Sequence, residues 1–136
     1  MASELPLTEQ SAKLNPAIAF VIALCAWIVP GLGHLLTGRR GRAAVLFIVT
    51  AGLTLVGFAM RGEVFTPRSG DTFGTLGFLA DAGAGVFYFL ARSLATAGPD
   101  LARATGDYGS RFFAAAGIVN LLGVLDAYRI ARARRG

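Results

Sequence analysis

Residues 17–36 read AIAFVIALCAWIVPGLGHLL. The stretch holds no Asp, Glu, Lys or Arg, and its length matches the roughly 20 residues that an α-helix needs to cross a hydrocarbon core about 30 Å thick. Its last third breaks the pattern. Pro30 has no backbone N–H to donate, and Gly31 and Gly33 loosen the chain beside it. The spacing predicts a membrane helix kinked at Pro30, with released carbonyls that protein or trapped water must satisfy. Two readings of Val29-Pro30-Gly31-Leu32-Gly33-His34 follow. The favoured one is a plain helix end whose glycines admit a close neighbour. The other is a re-entrant or kinked hairpin that builds a site around His34.

Three further apolar stretches extend the pattern: residues 43–60, 74–95 and 110–129. In the last, Tyr108 and Tyr128 stand twenty residues apart, about 30 Å along a helix, which places an interfacial residue type at each end of one span. The expected fold is all-α, an integral bundle of four transmembrane helices over residues 15–131. A polar, disordered lead-in (1–14) precedes it and a basic tail (132–136) follows. The loop Thr37–Arg42, TGRRGR, is short enough to make segments one and two antiparallel neighbours. Gly98-Pro99-Asp100 suggests a short interfacial helix over 99–104. Glu4 and Glu9 precede the first segment, where a cleaved signal would start positive, so that segment reads as retained.

Composition supports the same class. The 136 residues are 54% hydrophobic and 15% charged, and the mean hydropathy is +0.59; soluble domains carry about 25% charged residues. One cysteine excludes a disulfide framework or a Cys-rich metal module. The net charge of +5 does not indicate nucleic-acid binding, because the arginines cluster between apolar runs instead of lining one face. Arg39, Arg40 and Arg42 sit in the first loop, and Arg129, Arg132, Arg134 and Arg135 in the tail. Such residues flank membrane segments and meet anionic headgroups. With four alternating spans, one side receives Arg39, Arg40, Arg42, Arg92, Arg103 and Arg111. The other receives Lys13, Arg61, Arg68 and the four tail arginines. Six against seven leaves the orientation undecided. Segment three, with Asp81 and four glycines (Gly74, Gly77, Gly83, Gly85), is the weakest span; if it does not cross, the first loop and the tail share a side, and seven against six is equally undecided.

Few side chains could carry chemistry. His34 is the only histidine, so a histidine pair or multi-histidine metal site is excluded; its favoured role is a hydrogen-bonding partner, although its residue type also suits pH sensing. Asp81 lies among small residues in segment three, where a carboxylate is either a proton-relay group or a paired group at a close helix contact, the latter favoured. Asn120 suits an interhelical hydrogen bond. Asp126 stands three residues before Arg129, so a local ion pair is the favoured reading. Contact between Asp126 and the Arg39-Arg40-Arg42 turn is disfavoured, because alternation puts them on opposite sides. No P-loop, dinucleotide fingerprint or His-Glu-x-x-His is present, and no metal or cofactor is implied.

Two stretches carry a resemblance. Val29-Pro30-Gly31-Leu32-Gly33-His34-Leu35-Leu36-Thr37-Gly38-Arg39-Arg40 resembles the Pro-Gly-Leu-Gly-His signature of small bacterial membrane proteins of unknown function, itself related to the first half of the two-transmembrane-helix domain family. Residues 116–128, which end Asn120-Leu121-Leu122…Asp126-Ala127-Tyr128, are similar to the closing motif of those proteins. The relatives often have aromatic residues where Leu35 and Leu36 stand. The resemblance implies a multi-pass protein of a bacterial cytoplasmic membrane and groups Pro30, Gly31, Gly33, His34, Asn120 and Asp126 as one constellation.

The expected function is that of a non-enzymatic accessory or scaffold subunit whose partners are the lipid bilayer and a homo-oligomer or larger complex. The alternative is a small transporter or proton-coupled channel using Asp81, Asn120 and His34 around one water-filled cavity. A membrane enzyme acting on lipid headgroups, with His34 or Asp126 as base, comes third.

Overall fold

The structure, a computed structural model, describes residues 15–67, 71–94 and 104–133, and of residues 104–106 the backbone alone. All regular structure among them is helical: α1 (Pro16–Ile28), α2 (Leu32–Leu36), α3 (Arg40–Ala59), α4 (Thr72–Ala82), α5 (Val86–Leu94) and α6 (Ala104–Ala133). The lead-in 1–14, the expected helix start at 99–103 and Arg134 and Arg135 lie outside the described residues.

α6 is the spine, with α1, α3 and α4 packed against it. Its contacts set a ruler along its length. Near its start, Gly109 meets Gly57 and Gly62, and Ser110 Oγ accepts from Glu63 N at 2.8 Å. In its middle, Gly117 abuts the backbone of Ala80, and Asn120 meets Trp27 and Gly83. Further on, Gly123 lies against Leu46, and Ala127 against Gly33. α3 therefore runs antiparallel to α6. Their start and finish define two ends of the molecule, called here the arginine end (Arg42 with Asp126) and the loop end (Gly62 with Gly109).

α1 begins cleanly: Asn15 caps it by accepting from Ala17 N at 3.0 Å, and Pro16 occupies the first turn, where no N–H is needed. It stops at Ile28. Val29 is extended, Pro30 offers no N–H, and Gly31 takes φ 86°, a left-handed value that a β-carbon would strain. The expected kink at Pro30 is thus a reversal. A β-carbon on Gly33 would lie 2.6 Å from Ala26 Cβ and 3.1 Å from Ile22 O, so α2 lies back along the last two turns of α1. α1 enters beside the arginine end of α6, reaches the level of Asn120 at Trp27, and the chain returns to His34 beside Asp126. The antiparallel pairing of segments one and two is replaced by packing of both α1 and α3 on α6.

The third apolar segment reverses as well. Gly83 and Gly85 interrupt it, Gly85 at φ 61°, and α4 and α5 meet at a bend of 113°. α4 reaches the middle of α6 at Ala80. α5 then heads back toward the loop end, where Ala91 shares a small cavity with Thr54 and Phe113. Four end-to-end helices therefore become two long ones and two broken ones. α3 and residues 107–133 of α6 are long and apolar enough to cross a membrane, and the α4–α5 pair would count as a third only if taken as one span; α1 is shorter.

Small residues allow these approaches. Ala19, Ala26, Ala116, Ala127 and Ala131 are almost fully buried, while Phe20, Ile48, Leu55, Phe73 and Leu122 are exposed. The inside is small and the outside is large and apolar, the inverse of a soluble core.

Candidate functional site

Reversing a helix in the middle of a bundle frees carbonyls that have no water to accept from. Trp27 O is one: the residue four positions on, Gly31, whose N–H a continued helix would bring to it, lies beyond the extended Val29 at φ 86° and outside α1. Gly83 O is another, because the N–H four positions on, at Phe87, donates instead to Ala84 O at 3.3 Å. One side chain serves both: Asn120 Nδ2 donates to Trp27 O at 3.1 Å and to Gly83 O at 2.8 Å. Trp27 Nε1 completes the joint by donating to Ala82 O at 3.0 Å. A β-carbon on Gly85 would run into Trp27 O, so the two breaks meet backbone to backbone. Asn120 is buried, and its Oδ1 has no partner.

A second cluster stands at the arginine end. His34, 1% exposed, donates from Nε2 to Asp126 Oδ2 at 2.9 Å, and Arg42 Nη1 donates to the same oxygen at 2.9 Å. This replaces the expected local Asp126–Arg129 pair: the first loop and the end of α6 share one end of the molecule because α4–α5 turns back between α3 and α6. A carboxylate 2.9 Å from the histidine would suit acid–base work, but Nδ1, the nitrogen that would have to face a substrate, is buried and without a partner. Pro30 is buried at the turn. A β-carbon on Gly31 would run into Ala43 O, which ties the turn to the start of α3. Arg39 caps α3, Arg40 is its first residue, and Arg129 and Arg132 lie exposed on the last turns of α6.

Asp81 occupies a third place. Its Oδ2 accepts from Phe65 N at 2.9 Å, and Tyr88 Oη donates to Phe65 O at 3.2 Å. The pair pins both backbone groups of Phe65 and so the loop that follows α3. Arg92 Nη1 donates to Tyr88 Oη at 3.3 Å. Asp81 Oδ1 is buried and unpartnered beside a cavity of about 10 Å³, room for one water at most. His34 lines a different cavity, of about 500 Å³, between α3 and α6. The structure therefore joins His34 with Asp126 and Arg42, joins Asn120 with two helix breaks, and keeps Asp81 apart from both. Among the described residues no three His, Cys, Asp or Glu side chains are grouped to hold a metal ion.

Sequence reasoning missed Trp27, Phe65 and Tyr88. Trp27 left a trace: it is the only tryptophan in the chain and lies inside an apolar run, where an indole N–H needs a partner. Phe65 left none, because its backbone, not its side chain, does the bonding.

No curated protein and no solved structure matches this chain. Residues 21–136 match one family model, and the match spans both helix breaks, Asn120 and the His34–Asp126 cluster. The chain belongs to DUF6677, a family of unknown function.

Proposed function

We propose that this chain is a non-enzymatic accessory or scaffold protein of a bacterial cytoplasmic membrane, crossing the bilayer twice, through α3 and α6, and carrying two re-entrant hairpins. The observation that carries the reading is Asn120. Its two donors are used on the carbonyls of two reversed helices, so the polar middle of the protein is stitched shut. Crossing twice, not four times, agrees with α1: thirteen residues at 1.5 Å each reach about 20 Å, short of a core of about 30 Å. The motif likeness to the two-transmembrane-helix domain family agrees with a membrane-embedded first half.

The charge distribution also supports this topology. Among the described residues, Arg39, Arg40, Arg42, Arg129 and Arg132 share one end with Asp126 as its carboxylate. Arg61, Arg92 and Arg111 share the other with Glu63, Asp71 and Asp107. Five against three supports a cytoplasmic arginine end.

Two measurements test the reading. With Cys25 replaced by alanine, single cysteines at positions 40 and 132 should react with an impermeant maleimide from the same side and one at 111 from the opposite side. Labelling of 40 and 132 from opposite sides would make the α4–α5 pair a crossing and overturn the two-crossing reading. Purification in a mild detergent should yield a homo-oligomer or a stoichiometric partner, and a clean monomer would count against a scaffold. A transporter is the second reading, favoured by one observation: the buried, unpartnered Oδ1 of Asp81 in a segment that turns back inside the bundle.

A further inference from the structure

We propose that the groove between α3 and α6 at the arginine end is a binding site for one anionic phospholipid of the bilayer. The inference rests on the membrane reading above. The groove encloses about 500 Å³, within the usual range for a small-molecule site, about 300–1,000 Å³. Its walls are Val45 and Leu46 on α3 and Val119 and Leu122 on α6. From Asp126 to Val119 it descends about 10 Å toward the bilayer middle, seven residues at 1.5 Å each. That depth takes the first part of an acyl chain lying between the two helices.

The mouth of the groove is built for a phosphate. Arg42 and Gly41 line it and belong to the first turn of α3, a helix of twenty residues whose N-cap makes no side-chain capping bond. The N–H groups of Arg40, Gly41 and Arg42 have no intrahelical acceptor there, and the helix dipole adds its positive end. A β-carbon on Gly41 would meet nothing within 4 Å, so the approach is open. Arg42 gives one guanidinium N–H to Asp126 and keeps four. Asp126 stands at the rim with both Arg42 and His34 donating to its Oδ2, which offsets its charge toward an incoming anion. The buried His34 ring forms part of the wall with Nδ1 unpartnered.

Charge decides between a lipid and a second copy. Two copies inserted the same way and packed groove to groove bring their arginine ends together, ten described arginines against two carboxylates, with repulsion as the result. An anionic headgroup is attracted by the same residues. A zwitterionic lipid fills the walls equally well but leaves the mouth unneutralised.

The test uses the full chain, purified in a mild detergent, stripped of lipid and titrated with mixed micelles of phosphatidylglycerol or phosphatidylcholine, with bound lipid counted by native mass spectrometry. One phosphatidylglycerol should be retained per chain with a preference of about tenfold over phosphatidylcholine, as expected from one or two arginine contacts. Inorganic phosphate at the same concentration should not displace it, because the chain supplies part of the affinity. Leu122→Trp and Val45→Trp, which fill the groove from opposite walls, should each abolish retention, whereas Leu55→Trp, exposed on α3 outside the groove, should retain the lipid. Equal retention of both lipids, displacement by phosphate, or unchanged binding in both groove-filling variants overturns the proposal. Carbonate washing of the membranes separates the two levels. A chain that stays in the membrane but holds no phosphatidylglycerol overturns this site alone, and a chain released by carbonate overturns the membrane reading with it.

Discussion

Asn120→Ala is the most informative single change. It removes both bonds from Nδ2, at 3.1 Å to Trp27 O and 2.8 Å to Gly83 O. Neither carbonyl has a helical substitute: Gly31, four residues after Trp27, lies outside α1 at φ 86°, and Phe87 N is committed to Ala84 O. Interhelical hydrogen bonds within membranes average about 0.6 kcal/mol, with a maximum near 1.7, because the unfolded reference finds partners too. Leaving a buried carbonyl without a donor costs about 1–3 kcal/mol, and here two are left. Removing Asn120 Oδ1, itself buried without a partner, returns part of that. The expected loss is about 2–4 kcal/mol, a shift of about 30- to 900-fold in the unfolding constant. The assay is reversible unfolding by SDS in mixed micelles, followed by tryptophan fluorescence. The chain has one tryptophan, and it bonds to Ala82 O at the same joint, so the signal reports on the site itself. Asn120→Asp should be at least as damaging, since a carboxylate brings no donor to two carbonyl oxygens. Leu122→Ala, on the exposed face of α6, should cost far less. An Asn120→Ala variant that unfolds within a factor of about three of the wild type would refute the capping argument, and with it the basis for a closed interior.

Three further outcomes are expected. Gly117→Ala should separate α4 from α6 and unfold readily, because the added carbon runs into Ala80 O, whereas Gly52→Ala, with nothing within 4 Å, should be neutral or slightly stabilising; thermal unfolding in detergent ranks the two. Asp126→Ala should lose more stability than Arg42→Gln in the same assay. The Arg42–Asp126 pair is 57% and 45% exposed and worth about 0–1 kcal/mol, but Asp126→Ala also leaves the buried His34 N–H unpaired, at about 1–3 kcal/mol. Asp81→Asn keeps an oxygen for Phe65 N and should fold normally with unchanged ion flux in proteoliposomes, whereas Asp81→Ala should lose about 1–3 kcal/mol by releasing that loop; a flux abolished by Asp81→Asn alone would move the function to the transporter reading.

The helical class, the apolar segments and most of the polar residues that matter were legible because each is a local property. Segment 43–60 became α3 almost unchanged, and Asn120 does bridge helices. The reversals were not legible from hydropathy, because an averaging window cannot distinguish a helix that continues from one that turns back within the bundle. Residues 17–36 and 74–95 look like spans by length, yet each contains a glycine whose positive φ turns the backbone: Gly31 at 86° and Gly85 at 61°. Pro30 announced the first, and the reading of that turn as a re-entrant hairpin was the disfavoured one. Gly83 and Gly85 sit among alanines and other glycines, where small size suggests helix packing before it suggests a bend. One misread reversal propagates. Reading α4–α5 as one continuous helix sends the first loop and the end of α6 to opposite ends, which is why the sequence pairs Asp126 with Arg129, three residues away, and not with Arg42, eighty-four residues earlier. The turn between α4 and α5 restores the pairing: it returns the end of α6 to the end that holds the first loop, with Asp126 2.9 Å from both His34 and Arg42.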